Sequence, residues 1–488
     1  MSLIGISCLA HDAALAVLRD DQIVFAAHSE RYSRRKNDPF LNGALLADAM
    51  QYVDHVERIV YYEHPLLRKL RQVRAGQFPR ALSTGLASYR DRFPALRGKP
   101  VRAVSHHRSH AAGAYYTSPF RDAAVVVVDA IGEWETLTVW HGVGRQLRKV
   151  HSVRYPHSLG LLYSAFTQRV GLKPNEEEYI LMGMAAYGEP RYRGLIESDL
   201  IRPTEPPGFE LRRSVHKGID DWHPELTEAA DLASSVQAVL ENFLSGLFHW
   251  VAKNVRSKNL VYAGGVALNC LFNGKLAESG LFDEIWIPPN PGDAGSAIGA
   301  LLADRRDFVT WPGPYLGHDI KRTTNPAEVA QSLLSSGIVG LANGRAEYGP
   351  RALGNRSLLA DPRGSGIKDR VNEIKRRQRY RPFAPIIRAE RANEFFQMHV
   401  RDASYMQFVV RCRDPQAYPA ICHVDGTSRV QTLRREQNPG MYQVLTEFES
   451  LTGCPMLLNT SLNIRSEPLV NDWQDARDFA RKYDVPVY

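Results

Sequence analysis

The stretch NLVYAGGVALN, at residues 259–269, decides the fold class. Its first five residues predict a buried strand, Gly264 and Gly265 predict a tight turn, and the residues after them predict the start of a helix. Paired glycines let a backbone approach a phosphate or ribose closely, and a helix N-terminus favours an anion. A Gly-Gly pair also occurs in turns that bind nothing, so by itself it is a weak signal for a nucleotide site.

Apolar periodicity predicts further strands and helices on the N-terminal side of this stretch. Residues 42–52 and 229–255 have helical spacing, and the turn at Arg19, Asp20 and Asp21 predicts a hairpin between two early strands. This order of elements resembles the actin/hexokinase type of two-lobed nucleotide-binding fold, which implies an α/β class. No internal repeat is visible in the sequence. The predicted strands are LIGISCL (3–9), ALAVL (14–18), QIVFAAHSE (22–30) and AAVVVVDAIGE (123–133).

A change in composition around residues 304–325 predicts a domain boundary. The segment WPGPYLGHDIKRTTNP is rich in Pro, Gly and polar residues and is typical of a linker. A new α/β unit begins after it, at IVGLANGRAEYGPRALGNRS. The predicted domains are residues 1–312 and 313–488.

Composition and charge restrict the kinds of partner. The chain has 488 residues and a formal net charge of +8, without an apolar run long enough for a membrane span or a recognisable signal peptide. Its five cysteines have neither zinc-site nor disulfide-framework spacing, so a reducing cytoplasm is expected. Residues 65–104 contain ten Lys or Arg against one acid, Asp91, and residues 363–388 contain nine against two. Such segments form either a solvated face or a surface that binds phosphate groups.

Two histidines and two aspartates are candidate metal ligands. His106 and His110 are four residues apart in SHHRSHAAGAYY, so they share a helix face, whereas His107 points elsewhere. Asp129 ends a buried strand, where an ionised carboxylate is costly without a ligand or partner. Asp293 lies in the Gly-rich turn NPGDAGSAIGA. Two imidazoles and two carboxylates suit iron, manganese or zinc, although each residue alone is also explained as a packed, capping or turn residue.

Two residues near the N-terminus are candidates for other roles. His11 follows the first predicted strand, and a neutral imidazole there could take a proton from an acceptor hydroxyl. Lys36, in SRRKND, could place a point charge beside a phosphate. The alternatives are a structural histidine and a solvated lysine.

The motifs together resemble one family, the carbamoyltransferases that include the nodulation-factor, cephamycin and tobramycin enzymes. The resemblance covers nearly the whole chain, and GPRALGNRS and HVDGTSRVQ are too long to match by chance. The matching segments are GISCLAHDAA, SERYSRRKND, HHRSHAAGAY, VVDAIGEW, KPNEEEYILMGMAAYGEPRY, YAGGVALNC, NPGDAGSAIGA, GRAEYGPRALGNRSLLADPR, IKRRQRYRPFAP, HVDGTSRVQT and LLNTSLNIRSEP.

The resemblance implies a two-part enzyme. A C-terminal YrdC-like domain would bind carbamoyl phosphate and help form a carbamoyl-adenylate from ATP, supplied with Mg²⁺. The N-terminal domain would hold a divalent metal, with Fe²⁺ favoured over Mn²⁺ or Zn²⁺, and the nucleotide. By this resemblance His106, His110, Asp129 and Asp293 match the metal positions and His11 the general base. Gly264, Gly265 and Asn269 fall in the nucleotide-binding loop.

Carbamoyl phosphate is a small dianion, so its site needs forked donors and a point charge. The candidates in the matching motifs are Arg351, Lys375, Arg381, Arg429, Asn459 and Ser461. Asn459 and Ser461 could also bind the carbamoyl amide. Arg345 and Arg356 are weaker candidates. The family usually has a lysine where this chain has Ile180, and Lys173 is a candidate to replace it.

The acceptor hydroxyl is the least determined part of the prediction. Because a small antibiotic gives no reason for ten basic residues in segment 65–104, a hydroxymethylpyrimidine in DNA is predicted, with a small-molecule hydroxyl as the alternative. An actin-like kinase would explain the N-terminal half alone, and a nucleic-acid-binding protein would leave the motifs unexplained. No membrane partner is expected, and the oligomeric state is left open, a homodimer included.

Overall fold

The computed structural model describes residues 2–10, 12–77, 86–364, 366–378, 381 and 383–488. The chain forms two compact units. The first comprises Met1–Ser7, Ala16–Gln22 and Val53–Trp311, and the second comprises Cys8–Leu15, Ile23–Tyr52 and Pro312–Tyr488. The second unit therefore includes two segments from the N-terminal region, which a single boundary near residue 312 does not describe. The functional division at residues 312 and 313 stays a prediction.

The predicted strands are present, and the early hairpin turns at Asp20 and Asp21 as expected. The strands of the described chain are β1 (Ser2–Ser7), β2 (Ala14–Arg19), β3 (Gln22–His28), β4 (Val56–Tyr61), β5 (Val101–Ala103), β6 (Asp122–Val128), β7 (Glu135–Val143), β8 (Gln146–Arg154), β9 (Ile201–Arg202), β10 (Glu210–Leu211), β11 (Asn259–Ala263), β12 (Glu284–Trp286), β13 (Tyr315–Ile320), β14 (Ile338–Ala342), β15 (Gly344–Glu347), β16 (Arg356–Ala360), β17 (Ala384–Arg388), β18 (Phe396–Gln397), β19 (Val409–Cys412), β20 (Thr427–Arg429), β21 (Gln431–Leu433) and β22 (Met456–Ser461).

Both helices predicted from apolar spacing are also present, at Gly43–Met50 and Ala229–Asn254. The α-helices of the described chain are α1 (Ser29–Ser33), α2 (Gly43–Met50), α3 (Pro65–Arg74), α4 (Leu86–Arg90), α5 (His106–Thr117), α6 (Leu159–Arg169), α7 (Glu178–Met184), α8 (Arg193–Leu200), α9 (Ala229–Asn254), α10 (Cys270–Glu278), α11 (Ser296–Arg305), α12 (Pro326–Ser336), α13 (Ile367–Lys375), α14 (Ala392–Phe395), α15 (Pro439–Thr452) and α16 (Trp473–Tyr483). None of them is long and apolar enough to span a lipid bilayer.

Two five-stranded sheets repeat one strand order. The first runs β3-β2-β1-β4-β5 and the second runs β8-β7-β6-β11-β12, so β6 takes the place of β1. In each sheet the central strand pairs in parallel with the strand that follows a long crossover, which is β4 in one and β11 in the other. The fold is therefore mixed α/β as predicted, with a topological duplication that no sequence repeat reveals. Duplicated sheets agree with the predicted actin/hexokinase-like class.

Helices α5 and α11 cross at glycines. A Cβ atom on Gly299 of α11 would lie 2.1 Å from the carbonyl oxygen of Ser109 in α5, and one on Gly113 would lie 2.9 Å from the Cα atom of Gly299. Only residues without a side chain permit this approach. The crossing matters for the site because α5 carries the two candidate histidines, and the 3₁₀ turn Asp293–Gly295 leads into α11.

The second unit is built on a sheet of order β14-β16-β22-β17-β21. β22 lies in the middle and pairs antiparallel with both β16 and β17. Helices α12 and α15 pack against each other, and their apolar faces join the sheet in one core. A three-stranded sheet of order β18-β19-β20 completes the unit.

The predicted linker is wrong in part. Residues 315–320 form strand β13, which pairs antiparallel with β15. Pro312, Gly313 and Pro314 gave this segment its linker-like composition, yet Leu316 and Ile320 are buried. Backbone pairing with β15 and burial of these side chains outweigh the local composition.

Candidate metal centre and anion site

His106, His110, Asp129 and Asp293 form one cluster, as the sequence predicted for metal ligands. One ligand atom from each lies within 4.8 Å of all the others. The Nε2 atoms of the two histidines are 3.0 Å apart, and each is 3.3 Å from Oδ1 of Asp293. His106 Nε2 is 3.2 Å from Oδ2 of Asp129. The four side chains come from the first turns of α5, the end of β6 and the turn before α11.

The spacing and chemistry of the cluster fit a first-row divalent cation. Nitrogen and oxygen ligands bound at about 2.0–2.2 Å stand roughly 3–3.5 Å apart around a cation, close to the distances found. Two imidazole nitrogens that face each other need a shared proton or cation between them. Burial alone would lower the pKa of His106, but the carboxylates of Asp293 and Asp129 outweigh it and raise that pKa well above its usual value. A site with this affinity for positive charge suits a metal.

His107 does not belong to the cluster, again as expected. Its Nδ1 lies 3.0 Å from Oγ1 of Thr138, and the ring is fully buried. Burial and the neighbouring His106 lower the pKa of His107 well below its usual value. A neutral ring packed against β7 explains why two adjacent histidines have different roles.

Three hydrogen bonds connect the glycine turn after β11 with the candidate metal cluster. Gly265 N donates to Oδ1 of Asp129 at 2.9 Å, so this carboxylate serves the turn with one oxygen and the cluster with the other. The carbonyl oxygen of Pro291 accepts from Gly264 N at 2.9 Å and from Nδ1 of His110 at 3.1 Å. That bond also leaves Nε2 of His110 free to face the cluster. Gly264 has φ +90°, and a Cβ there would lie 2.2 Å from the carbonyl oxygen of Val128.

Asn269 and Lys36, two residues predicted to contact the nucleotide, bond to other residues of the protein. The Asn269 side chain caps α10 by accepting from Phe272 N, and its amide pairs with that of Gln237 at 3.0 and 3.1 Å. Lys36 is 38% exposed and forms an ion pair with Glu30 at 2.9 Å. Asn269 thus has a structural role here, and contact of either residue with a nucleotide stays a prediction.

His11 lies outside the described residues, but its flanks are described. Leu9 and Asp12 have φ values of +71° and +53°, which are uncommon for residues other than glycine. Leu9 N donates to the carbonyl oxygen of Pro39, and Ala13 N donates to that of Asp38. Strained backbone that is held by such bonds is typical of functional loops. Proton transfer by His11 stays a prediction.

The basic segment 65–104 is exposed in part: among its described residues Arg74, Arg92, Arg97 and Arg102 are exposed, whereas two arginines are buried. Arg68 and Arg71 in α3 are only 8% and 7% exposed, and Arg68 forms a buried ion pair with Glu63. Burial opposes the charge of Arg68, but Glu63 outweighs it and raises the pKa. Arg80 lies outside the described residues. These two buried arginines are not available to neutralise phosphates of a polyanion, and DNA binding by the exposed basic residues stays a prediction.

In the second unit, Lys375 and Ser461 lie together. Lys375 is buried, and its ammonium donates to the carbonyl oxygen and Oγ of Ser461 and to Oδ1 of Asn463. Among the described residues no carboxylate lies within ion-pair distance of this ammonium. Burial, followed by the charges of Arg377 and Arg381, lowers the pKa of Lys375 well below its usual value. The surroundings of Lys375 are therefore positively charged and suited to an anion.

Asn459 lies two residues before Ser461 on β22, on the same face of the strand. Its Nδ2 donates to Oε1 of Gln431 at 2.7 Å and to the carbonyl oxygen of Ala352 at 3.2 Å. Its Oδ1 is buried and has no hydrogen-bond partner in the described chain. Ala352 lies in the GPRALGN motif, next to Arg351, and Gln431 lies in the VQT motif. Asn459 therefore connects the two motifs by hydrogen bonds.

The remaining arginines divide into two groups. Arg381 follows α13 and Arg429 ends β20, both partly exposed, and their contact with a ligand stays a prediction. Arg345 donates to the carbonyl oxygens of Val24, Leu316 and Gly317. Arg356 is fully buried and donates to five backbone carbonyls. These two guanidinium groups hold the backbone, so the weaker candidates are structural.

The family position at Ile180 is filled by a buried apolar side chain in α7. Lys173 pairs with Glu176 and is 65% exposed, which gives it no visible link to the site. Sequence reasoning missed Gln431, Asn463, Pro291 and Glu63. The first two lie inside quoted motifs, where amide residues signal hydrogen bonding, whereas Pro291 acts through its backbone and leaves no signal.

Comparison with known proteins assigns the chain to a family. Residues 69–302 match the family description "Carbamoyltransferase N-terminus", and residues 330–488 match "Carbamoyltransferase C-terminus". The nodulation protein NolNO of Sinorhizobium fredii is 34% identical, over 96% of this chain and 76% of its own length. The chain belongs to the carbamoyltransferase family. The 3'-hydroxymethylcephem-O-carbamoyltransferase of Amycolatopsis lactamdurans is 30% identical, over 95% of this chain and 94% of its own length.

Membership makes this protein a carbamoyltransferase, and thus an enzyme, as the motifs predicted. All four candidate metal ligands fall in the N-terminal match, and all the candidate carbamoyl-phosphate residues fall in the C-terminal match. His11 and Lys36 precede both. Among solved structures, the activator of 2-hydroxyisocaproyl-CoA dehydratase from Clostridium difficile, with bound ADPNP, is 13% identical at a TM-score of 0.37, over 63% of this chain and 96% of that one. A likeness of this size carries no conclusion.

Proposed function

We propose that this carbamoyltransferase moves a carbamoyl group from carbamoyl phosphate to an acceptor hydroxyl, using ATP and a carbamoyl-adenylate intermediate. The observation that carries the proposal is Lys375, a buried ammonium without a described carboxylate partner, beside two further cationic residues. A buried cation is costly unless an anion pairs with it. Carbamoyl phosphate supplies such an anion, in the segment that matches the carbamoyltransferase C-terminus.

The carbamoyl end of the donor has a suitable partner nearby. The unpartnered Oδ1 of Asn459 can accept from the carbamoyl NH₂ group, which a phosphate or acetate ligand lacks. Ser461 lies between Asn459 and Lys375 and can donate once its present bond to Asn463 is exchanged. Arg351, Arg381 and Arg429 would supply forked donors to the phosphate oxygens. Discrimination between carbamoyl phosphate and simple phosphates would depend on Asn459.

The proposed reaction proceeds in balanced steps. Water attacks the phosphorus of carbamoyl phosphate, the P–O bond to the carbamate oxygen breaks, and carbamate and inorganic phosphate are released. The carbamate oxygen then attacks the α-phosphorus of ATP, and pyrophosphate leaves. The acceptor oxygen next attacks the carbonyl carbon of the adenylate, its proton passes to His11, and AMP leaves. Because the adenylate hydrolyses in water, a dry site is needed for the second half of the sequence.

The N-terminal unit would bind the nucleotide and the metal. Gly264 and Gly265 would present backbone N–H groups to a phosphate, and the four-residue cluster would hold the cation. When bound, a divalent cation supplies positive charge to phosphate oxygens. Asp129 and Pro291 hydrogen-bond with both the glycine turn and the histidines, so both sites would be positioned together.

For the acceptor we favour a small-molecule hydroxyl. The basic segment that suggested DNA buries two of its arginines, and a named relative acts on a hydroxymethyl group of a cephem. A hydroxymethylpyrimidine in DNA remains the competing acceptor from the sequence. Exposed Arg74, Arg92 and Arg97 are the residues on which DNA binding would then depend.

One experiment tests the reaction and the acceptor together. The purified enzyme is incubated with carbamoyl phosphate, ATP, Mg²⁺ and single acceptors: a hydroxymethylcephem, an amino sugar, a nucleoside and hydroxymethylated DNA. Mass spectrometry should detect one added carbamoyl group on a small molecule, with stoichiometric AMP and pyrophosphate. Pyrophosphate release that does not depend on carbamoyl phosphate would contradict the proposal that carbamoyl phosphate is the donor. Carbamoylation of DNA alone would refute the proposal that the acceptor is a small molecule.

A further inference from the structure

Helix α3 has the reverse of the usual amphipathic arrangement. Its apolar residues Leu66 and Leu70 are 76% and 60% exposed, whereas Arg68 and Arg71 are buried. Helices on a protein surface normally bury the apolar stripe and expose the charges. An arrangement that gives up apolar burial to place guanidinium groups inside indicates that the interior needs their charge.

The buried partner of Arg68 is Glu63, two residues after β4. Glu63 is 3% exposed, and its Oε1 accepts from Nη1 of Arg68. Its other oxygen, Oε2, lies 4.0 Å from Nδ1 of His106. In this ion pair Oε1 bonds to Arg68, whereas Oε2 faces Nδ1 of His106, the ring nitrogen that points away from the cluster.

The two candidate ligand histidines differ in how they are oriented. Nδ1 of His110 has the carbonyl oxygen of Pro291 at 3.1 Å. Nδ1 of His106 is buried without a hydrogen-bond partner in the described chain, and Glu63 is the carboxylate next to it. Metal-binding histidines almost always donate their second N–H to a carboxylate or carbonyl. The 4.0 Å separation is longer than a hydrogen bond, so closing it requires a shift of about 1 Å.

We propose that Glu63 is the positioning residue of the metal centre. Its carboxylate accepts Nδ1–H of His106 and thereby directs Nε2 toward the cation, while Arg68 holds the carboxylate in place. This inference rests on the proposed metal site and goes beyond it by naming the pair that orients one ligand.

Charge balance supports the same assignment. The cluster and its surroundings contain four buried carboxylates, those of Glu63, Asp129, Glu133 and Asp293, with Glu133 accepting from His106 N. Arg68 and Arg71 offset two of them. The remaining two negative charges match one divalent cation with neutral imidazole ligands, since buried charges need compensation.

The test measures Co²⁺ binding to the chelator-treated full-length chain. Wild type is compared with Glu63→Gln, Glu63→Ala and Arg68→Met, and affinity is read by calorimetry and by the visible Co²⁺ absorption. Glu57→Gln is the matched control, because Glu57 lies on β4, the strand that precedes Glu63, and its side chain is 38% exposed. We expect Glu63→Ala to weaken Co²⁺ binding about tenfold to a hundredfold and to shift the spectrum. Glu63→Gln and Arg68→Met should weaken it less, and Glu57→Gln should not change it.

Two outcomes would overturn the proposal. One is a Glu63→Ala variant with lowered thermal stability but unchanged Co²⁺ affinity and spectrum, which would make Glu63 only a fold residue. The other is a wild-type chain that binds no Co²⁺. Carbamoyl transfer is assayed separately on the same preparations. A wild type that binds Co²⁺ and responds to Glu63 substitution but transfers no carbamoyl group would refute the proposed function and still support this inference.

Discussion

The glycine contact between α5 and α11 makes a sharp prediction about the metal cluster. In a Gly299→Ala variant the new methyl group would lie 2.1 Å from the carbonyl oxygen of Ser109, whereas ordinary van der Waals contact begins at 3.4 Å. The obstacle is backbone, so no side-chain rotation relieves it. The two helices would have to separate by about 1 Å, because packed interiors have no space to absorb the methyl group.

Such a separation acts directly on the ligands. Both candidate histidines lie on α5, and Asp293 lies in the turn that begins α11, with contacts of only 3.3 Å between them. Overpacking of this kind costs about 1–3 kcal/mol. We expect a thermal unfolding temperature lower by several degrees and a Co²⁺ affinity reduced by about tenfold, in line with misplaced ligands. The measurements are differential scanning calorimetry and metal titration of the chelator-treated protein.

Gly194→Ala is the matched control. Gly194 also lies in a helix, α8, but a Cβ atom there would meet nothing within 4 Å. Its replacement should be neutral or stabilising by up to about 1 kcal/mol. If Gly299→Ala has wild-type stability and metal affinity, the helices do not cross as closely as described, and the account of how the ligands converge is wrong.

Three further predictions concern individual site residues. His110→Ala should abolish tight metal binding in elemental analysis of the purified protein, whereas His107→Ala should lower stability and leave metal content near wild type; equal metal loss in both would contradict the assigned ligands. Lys375→Met should block carbamoyl-phosphate-dependent pyrophosphate release from ATP, because the anion loses its buried cation; an unchanged rate would place the donor elsewhere. His11→Asn should lower carbamoyl transfer by about 10²–10⁴-fold while pyrophosphate release continues; a wild-type rate of transfer would remove His11 as the base.

The sequence predicted the four candidate metal ligands because their signals are local. An i, i+4 histidine pair on a helix, a carboxylate at the end of a buried strand and one in a Gly-rich turn can each be recognised from a few residues. That His106 and Asp293 lie within 3.3 Å of each other is not local, since it depends on the crossing of two helices far apart in the chain. The motif resemblance suggested this proximity, and the glycines at the crossing explain it physically.

The orientation of α3 could not be predicted in the same way. Periodicity shows which residues of LLRKLRQVR share a helix face, and the usual rule places the leucines inside and the arginines outside. The structure reverses this because Glu63 is buried nearby and Arg68 pairs with it. A local pattern cannot reveal a buried carboxylate on another element. The same limit explains why Arg356, which resembled an anion ligand, proves to hold backbone carbonyls.

The hydrogen bonds around Pro291 and Asp129 show how the N-terminal unit uses few groups for two tasks. The Pro291 carbonyl accepts from both the glycine turn and His110, and the Asp129 carboxylate serves both Gly265 and the cluster. Any shift of β6 or of the turn before α11 therefore moves the glycine turn and the candidate metal ligands together. Because each shared acceptor has a fixed position, the two sites cannot be adjusted independently. The positions of the four-residue cluster and of the glycine turn thus have one structural origin.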